Sequence, residues 1–239
     1  MMALLYLKSF DICREELPDD SYLYDVPAVA SLDSMAFRRN VTLFCGENGT
    51  GKSTVLSALA EAWGLNPGGG TKNYRVEEEN RSELSYAVRL KKGKLPDFSG
   101  FFRADRFISM VEKAESDYSV GPDDFFYGDG LIREQSHGEG FFSFLNCLRR
   151  RGLYFMDEPD SALSVQNQLA LMYQILQLVK KGSQFIIVTH SPILLGFPGA
   201  EIFRFGEDAV LPCEYEETES YVLTSAFLKN RESFFRRFE

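Results

Sequence analysis

Hydrophobic positions along the chain follow two alternating patterns. Short continuous runs of apolar and β-branched residues predict buried strands at 2–10, 41–45, 100–103, 152–156 and 184–188. Apolar residues three and four positions apart predict helices at 54–63, 141–150 and 163–180, with one or two closing helices at 220–239. Because parallel strands need a crossover between them, usually a helix, this alternation predicts an α/β fold with a mostly parallel central sheet and flanking helices.

The long helix at 163–180 is amphipathic, and its apolar positions include Leu169, Met172, Tyr173, Leu176 and Val179. We expect these residues to form its inward face. They would then pack on the central sheet.

Other segments are less regular. Residues 12–33 contain Pro18 and Pro27 and predict no regular element. Further strand-like runs lie at 72–76 and 84–90, an exposed turn at 91–94, and a hairpin at 201–205 and 209–213. The pattern is weak at 105–133. We therefore expect a single domain over 1–239, with an antiparallel β part and a small inserted helical lobe at 105–151.

A glycine-rich segment separates the strand at 41–45 from the next helix. It fits G-x-x-x-x-G-K-[ST], with Gly46, Gly51, Lys52 and Ser53 at the fixed positions. Glycines let backbone N–H groups turn toward phosphate oxygens, the lysine reaches the outer phosphates, and the serine hydroxyl ligates Mg²⁺. A chance glycine turn is the alternative, which the flanking strand and helix disfavour. The predicted nucleotide-binding residues here are Gly46, Glu47, Asn48, Gly49, Thr50, Gly51, Lys52, Ser53 and Thr54.

Two acids follow the apolar run at 152–156. A strand ending in Asp157 and Glu158 places both carboxylates at the carboxyl edge of the sheet, where ligands bind in open α/β folds. We expect Asp157 to hold Mg²⁺ and Glu158 to act as the general base on the attacking water. The alternative is a solvated acidic turn. His190 ends the next strand and should reach the same edge, where imidazole can hydrogen-bond a phosphate.

A second glycine-containing segment lies at 135–140, before the helix at 141–150. Its small residues and backbone N–H groups at a helix start are typical of an anion-binding nest. Ser136 and Gly138 are the candidate phosphate contacts. A flexible turn with a helix cap is the alternative.

Charge and cysteines narrow the class of protein. The net charge of −9 argues against a broad nucleic-acid-binding face, although 149–151 and 231–237 are locally basic. Four cysteines lie far apart without a C-x-x-C pair, which predicts free thiols in a reducing compartment. We expect no signal peptide and find no apolar run near the roughly 20 residues that span a bilayer. These features predict a cytoplasmic protein.

Together these motifs resemble the ATP-binding cassette (ABC) superfamily. Residues 46–54 match its Walker A motif, 153–158 its Walker B motif, and His190 its switch histidine. Segment 136–139 resembles the signature, and 161–163 the D-loop. More narrowly, the chain is similar over nearly its whole length to small stand-alone ATPases of the RecF, Rad50 and SMC type. The resemblance implies ATP and Mg²⁺ as ligands and catalytic roles for Lys52, Glu158 and His190. It also implies an ATP-dependent homodimer in which the signature of one copy, with Ser136 and Gly138, completes the site of the other.

Several positions depart from the cassette pattern. His137 and Glu139 alter the signature, and Ser164 stands where the D-loop usually has Asp. Transporter cassettes also carry a glutamine between Walker A and the signature. Residues 101–105 occupy that place without one, so Arg103 or Asp105 would substitute. An aromatic should stack on the base, with Tyr22, Tyr24 and Phe37 as candidates.

Three functions remain open from the sequence. The first is a soluble ATPase that uses ATP-driven dimerisation as a switch, with an unknown protein partner. The second is the ATP-binding subunit of a membrane transporter, which the missing glutamine disfavours. The third is a nucleotide-gated, DNA-associated module, which the acidic charge does not support.

Overall fold

The computed structural model of the protein describes residues 5–71, 81–103, 148, 150–161 and 163–236. The strands are β1 (Leu7–Ile12), β2 (Ser34–Ala36), β3 (Val41–Gly46), β4 (Gly70–Thr71), β5 (Val88–Lys92), β6 (Ser99–Arg103), β7 (Leu153–Asp157), β8 (Gln184–Val188), β9 (Glu201–Phe205) and β10 (Val210–Cys213). The helices are α1 (Pro27–Ser31), α2 (Lys52–Trp63), α3 (Glu83–Ala87), α4 (Val165–Lys180), α5 (Pro192–Leu195), α6 (Glu219–Lys229) and α7 (Arg231–Phe235). Short 3-10 turns cover Arg14–Glu16, Tyr22–Asp25 and Tyr215–Glu217.

The main sheet has the strand order β10-β9-β3-β8-β7-β6-β4 within the described residues. The five strands from β9 to β6 run parallel. The outermost strands, β10 and β4, each pair antiparallel with their neighbour. The predicted mostly parallel sheet with flanking helices is confirmed. Strands β3, β8 and β7 are neighbours, so the loops that follow them leave the sheet at one edge.

A second sheet, in the order β2-β1-β5, is antiparallel throughout and forms the predicted antiparallel β part. Its first strand begins at Leu7, later than the predicted start. The side chain of Gln184 joins this sheet to the main one. Its Oε1 accepts hydrogen bonds from the backbone N–H groups of Tyr6 and Leu7, at 2.8 and 2.9 Å, and its Nε2 donates to the Leu7 carbonyl.

Helix α2 lies between the two sheets and anchors the core. It begins directly after Gly51 and ends at Trp63, and the left-handed backbone of Gly64 allows the Gly64 N–H to cap the last turn. The helix packs against β3, β7 and β8 on one side and against β5 on the other. Val55, Leu56 and Trp63 are fully buried as a result. The start of the helix is therefore held firmly against the sheet edge.

The inward face of α4 matches the predicted one only in part. Met172, Leu176 and Val179 pack against the core as expected. Leu171, Ile175 and Leu178 are buried, whereas Leu169 and Tyr173 are 54% and 64% exposed. Several faces of this helix contain apolar residues, so the spacing alone identified only part of the packed face. The helix also begins at Val165, because the Ser164 hydroxyl accepts a hydrogen bond from Asn167 N and caps it.

The predicted strand at 84–90 is also wrong in its first half. Residues Glu83–Ala87 form α3, and only then does β5 begin. The carboxylate of Glu61 accepts hydrogen bonds from the backbone N–H and hydroxyl of Ser82 and fixes the start of α3. Lys92, predicted in a turn, lies at the end of β5, with its ammonium group 4.6 Å from the centre of the Trp63 ring.

The remaining element predictions have mixed outcomes. The hairpin of β9 and β10 and the closing helices are confirmed. Helix α1 lies in a segment for which no element was predicted. The predicted strand at 72–76 and nearly all of the lobe at 105–151 lie outside the described residues. Within the part of the chain that the structure describes, no helix has both the length and the apolar content needed to cross a membrane.

Candidate functional site

The loop between β3 and α2 can form only with glycine at particular positions. Gly46, Gly49 and Gly51 have φ values of 128°, 83° and 95°, in the region that other residues rarely adopt. A Cβ at Gly46 would lie 2.1 Å from the Phe205 carbonyl oxygen, and one at Gly51 would lie 2.6 Å from Val26 Cγ1. Gly49 faces open space. The loop is thus pressed against β9 and α1 on its protein side and open on the other, which suits a backbone cradle for phosphate.

Lys52 is buried within this loop, with only 5% of its surface exposed. Its Nζ donates hydrogen bonds to the carbonyls of Gly46, at 2.9 Å, and Glu47, at 2.5 Å. Burial lowers the pKa of Lys52, and the nearby carboxylates of Glu158 and Asp157 oppose that shift. The loop therefore holds a cation on its own carbonyl oxygens, which an anionic ligand could replace as acceptors.

Ser53 and Asp157 meet at the sheet edge although they are 104 positions apart in the chain. The Ser53 hydroxyl donates to Asp157 Oδ1 at 2.7 Å, and Asp157 is 7% exposed. Ser53 lies in the first turn of α2, and Asp157 is the last residue of β7. A hydroxyl and a carboxylate oxygen in contact supply the kind of ligands that Mg²⁺ takes beside substrate phosphates. The residues present therefore fit a magnesium ion.

Glu158 and His190 follow β7 and β8 and approach each other. Glu158 Oε1 lies 3.9 Å from His190 Nε2, and the two side chains are 44% and 38% exposed. Glu158 has φ 47°, and among the described residues other than glycine it is the one with positive φ. Such strain often marks functional positions. His190 Nε2 is a buried atom without a hydrogen-bond partner in the described ranges, although the ring itself is partly exposed.

A cavity of about 830 Å³ opens beside the phosphate loop. The loop, His190, the β9–β10 hairpin and the start of α6 line it together. Its acidic lining residues are Glu47, Glu207, Glu217 and Glu219, and Arg204 supplies a positive charge. Ser220 on α6 donates to the His190 carbonyl at 2.8 Å, which ties this helix to the histidine loop.

Two cysteines also meet near the loop. Cys45 precedes Gly46 on β3, and Cys213 ends β10. A thiol–thiol hydrogen bond to Cys213 is the main reason that the pKa of Cys45 is raised, and burial adds to it. The same contact lowers the pKa of Cys213. Both are free thiols, as is Cys13, which agrees with the expectation for these three, while Cys147 lies outside the described residues.

The structure separates the candidates for contact with the base. Tyr22 and Tyr24 lie in a 3-10 turn before α1 and are 66% and 40% exposed. Phe37 is 4% exposed, and its ring packs 6.0 Å from that of Phe10. Phe37 is therefore part of the core and was a wrong candidate. Arg103 on β6 lies opposite Asp157 on β7 in the register of the two parallel strands. The backbone of Arg103 therefore lies beside Asp157 and Glu158.

Ser136, Gly138 and Asp105 lie outside the described residues. The structure therefore places the loop of 46–54, Asp157, Glu158 and His190 at one sheet edge and leaves the signature segment as a sequence prediction. Sequence reasoning missed two polar residues beside this edge, Asp160 and Thr189. The available signal was their position one or two residues from Glu158 and His190.

Comparisons with known proteins point to the same class of protein that the motifs resemble. The family model described as "AAA domain, putative AbiEii toxin, Type IV TA system" matches residues 141–196, and a second one, "AAA domain", matches 31–109. A curated relative, the "Macrolide export ATP-binding/permease protein MacB" of Bradyrhizobium diazoefficiens, is 25% identical over 206 residues, which cover 76% of this chain. The chain spans 30% of the length of that relative.

Two solved structures align with most of the chain. MJ1267, an ATP-binding cassette of an ABC transporter, aligns at a TM-score of 0.50 and 15% identity, over 92% of this chain and 96% of that one. The SMC head domain from Thermotoga maritima aligns at 0.49 and 17% identity, over 88% of this chain and 100% of that one. The fold is that of an ATP-binding cassette head. The two AAA-domain family models and the cassette fold support the ABC/AAA type of ATPase that the motifs predicted.

Proposed function

We propose that the chain is an ATPase that hydrolyses Mg-ATP at the sheet edge where β3, β7 and β8 end. The observation that carries the proposal is the 2.7 Å hydrogen bond between Ser53 and Asp157, with Glu158 and His190 beside it. Four residues from three distant motifs converge there. In a parallel sheet this convergence follows from adjacent strands that end at one edge, which is where such folds bind ligands.

Each residue has a distinct task in this proposal. The backbone N–H groups of 46–54 and Lys52 bind the phosphates, and Ser53 and Asp157 hold Mg²⁺. The bound ion would neutralise negative charge on the phosphate oxygens. Glu158 takes a proton from the attacking water while the water oxygen bonds to the γ-phosphorus. The bond between the γ-phosphorus and the bridging oxygen breaks, and ADP leaves with that oxygen. His190 Nε2 donates to the γ-phosphate and so gains a partner, which it lacks among the described residues.

We further propose that ATP joins two copies of the chain, with Ser136 and Gly138 of one copy on the γ-phosphate held by the other. The exposure of Glu158 and His190 supports this step, because the site is open to a second molecule at that edge. A two-fold contact is the commonest symmetry of oligomers. The cellular output, the protein partner and a cytoplasmic location stay predictions. The transporter and DNA-associated alternatives rest on resemblance alone.

Glu158→Gln tests the proposal. Glutamine keeps the shape of the side chain but accepts no proton, so the variant should bind Mg-ATP, fail to hydrolyse it and elute as a dimer. Light scattering after size exclusion, with and without Mg-ATP, measures the last effect. The matched control is Glu207→Gln, the same change at an exposed acid that lines the same cavity. It should hydrolyse ATP normally.

Adding Ser136→Arg to Glu158→Gln should abolish the ATP-dependent dimer, because a bulky side chain would fill the phosphate nest. Continued hydrolysis by Glu158→Gln would refute the role of Glu158. A variant that binds ATP at high protein concentration yet stays monomeric would refute the dimer. A dimer that survives Ser136→Arg would show that Ser136 is not the contact across the interface.

A further inference from the structure

Two loops carry the residues that we assign to chemistry. One follows β7 and contains Glu158, and the other follows β8 and contains His190. The strands pair in parallel with Asp157 opposite Val188, so both loops leave the sheet side by side. Hydrolysis at this site requires the two loops to keep a fixed separation.

Side chains behind these residues join the loops at two points. The Thr189 hydroxyl donates to Asp160 Oδ1 at 2.5 Å and accepts from Ser191 N at 3.0 Å. The Ser191 hydroxyl donates to Gln168 Oε1 at 2.5 Å, and Gln168 Nε2 donates to the Leu163 carbonyl at 3.0 Å. The path thus returns to the loop where it began. Closed networks of this kind are more rigid than single contacts.

The backbone on both sides is also fixed. Glu158 N donates to the Val188 carbonyl at 3.0 Å, and Thr189 N donates to the Phe44 carbonyl at 3.1 Å. These bonds fix each loop where it leaves the sheet. Beyond that point, the Thr189 hydroxyl and Asp160 Oδ1 join the two loops through a side-chain hydrogen bond. The left-handed backbone of Glu158 needs such support, because a strained conformation persists only where its surroundings determine it.

Asp160 and Thr189 themselves lie behind the site. Thr189 is fully buried, and the cavity beside the phosphate loop is lined by His190 but by neither of these two residues. A carboxylate beside a buried threonine costs desolvation free energy, and one hydroxyl returns only part of it. Two less polar side chains at positions 160 and 189 would stabilise the fold equally well. The arrangement is therefore better explained by the neighbouring chemistry than by stability.

We propose that the Asp160–Thr189 hydrogen bond is a positioning contact that sets the 3.9 Å separation of Glu158 Oε1 and His190 Nε2 for attack on the γ-phosphate. Asp160 and Thr189 are positioning residues, since they act through Glu158 and His190. The inference rests on the proposed hydrolysis at this site. A displacement of about 1 Å in such a site can cost on the order of 100-fold in rate.

Thr189→Val tests the contact, because valine keeps the shape of threonine and removes the donor. We expect kcat to fall by at least ~10-fold, while KM and the equilibrium affinity for Mg-ATP stay within about twofold, since the phosphate loop is untouched. Thr189→Ser restores the donor and should recover most of the lost turnover.

The chain offers a matched control on the other side of the same sheet, where the parallel strands begin. Thr42 is also fully buried, and its hydroxyl donates to Glu201 Oε1 at 2.8 Å. Thr42→Val removes the same type of hydrogen bond far from the proposed chemistry. It should lower the unfolding midpoint without changing kcat.

Asp160→Ala completes a double-mutant cycle with Thr189→Val. If the two residues act through one hydrogen bond, the double variant should turn over no more slowly than the slower single variant. Should Thr189→Val fail to fold, Asp160→Ala alone tests the same fall in kcat at unchanged ATP affinity.

Three results would overturn the proposal: normal kcat in Thr189→Val, an equal loss of kcat in Thr42→Val, or fully additive effects in the cycle. Glu158→Gln separates this failure from that of the proposed function. If Glu158→Gln is inactive while Thr189→Val is normal, only the positioning contact is wrong. If Glu158→Gln still hydrolyses ATP, the proposed function itself fails.

Discussion

The parallel strands of the main sheet begin along one side, which we call the amino edge, and end along the other, the carboxyl edge. These two edges use buried polar groups in different ways. At the amino edge, Gln184 is fully buried and makes three hydrogen bonds to the backbone of Tyr6 and Leu7. Glu201 accepts from the Thr42 hydroxyl and from two backbone N–H groups. At the carboxyl edge, Lys52 donates to carbonyls of its own loop, and Ser53 pairs with Asp157.

The difference lies in whether the partners are permanent. Groups at the amino edge are held by backbone that no ligand can displace, so their bonds contribute to stability. At the carboxyl edge His190 Nε2 lacks a partner among the described residues, and Glu158 has a strained backbone. Functional sites commonly trade stability for such preorganisation. Substitutions at the two edges should therefore separate effects on catalysis from effects on folding.

Lys52→Ala should have the largest effect at the carboxyl edge. Removing the cation held inside the phosphate loop should abolish hydrolysis and weaken ATP binding by at least ~100-fold, since charge-assisted hydrogen bonds to phosphate are among the strongest. Equilibrium dialysis with labelled ATP measures the affinity. Lys94→Ala, at an exposed position between β5 and β6, is the control and should bind normally. Tight ATP binding by Lys52→Ala would contradict the assignment.

His190→Ala should spare binding and lower turnover. The phosphate loop and the Ser53–Asp157 pair supply ground-state affinity, so the histidine matters mainly in the transition state. We expect kcat to fall by ~100- to 1,000-fold, the usual loss for one such donor, with the Kd for Mg-ATP within a few-fold. Stopped-flow binding and steady-state phosphate release measure the two quantities. Unchanged kcat would make His190 a structural residue.

Gln184→Leu should reverse this pattern at the amino edge. Leucine fits the space but leaves two backbone N–H groups and one carbonyl without their side-chain partner, at about 1–3 kcal/mol for each unsatisfied group. We expect the free energy of unfolding in urea to fall by roughly 2–4 kcal/mol, while kcat per folded molecule is retained. Gln166→Leu, at an exposed position on α4, is the matched control. A fall in kcat without loss of stability would break the division between the edges.

Asp160→Asn should give the smallest effect and stabilise the protein. Burial raises the pKa of Asp160, and the hydrogen bond from Thr189 opposes that shift only in part. The folded protein then holds this proton more tightly than the unfolded chain. Stability from Asp160 is present below its ordinary pKa of about 4 and is lost as the pH rises through the raised value.

The asparagine variant does not titrate and should escape this loss. Its unfolding midpoint should exceed that of the original protein by ~1–3 °C at pH 7.5, with the gain shrinking as the pH falls toward 4.5. Thermal unfolding followed by circular dichroism over this pH range measures it. A variant that is less stable at pH 7.5 would contradict the direction of the shift.

The sequence was sufficient where neighbours along the chain carry the signal. The glycine-rich loop between β3 and α2 was predicted as a unit, because its glycines, lysine and serine lie within nine consecutive positions, and its phosphate contacts stay a prediction. Strands β3, β7 and β8 were predicted closely, since fully buried strands are continuous apolar runs. The packed face of α4 was predicted only in part, because apolar residues lie on several faces of the helix and the surface that it packs on decides which of them are buried.

Contacts between distant polar residues were decided by the tertiary structure alone. Asp160 and Thr189 are 29 positions apart, and Gln184 is 178 positions from Tyr6. Nothing local distinguishes these side chains from polar residues in exposed turns, because a hydrogen bond requires a partner within about 3 Å and only the strand order brings that partner there. The amino-acid sequence by itself determined which groups could perform the chemistry. The pairing of β7 with β8, set by the packing of the whole sheet, decided which groups hold Glu158 and His190 in place.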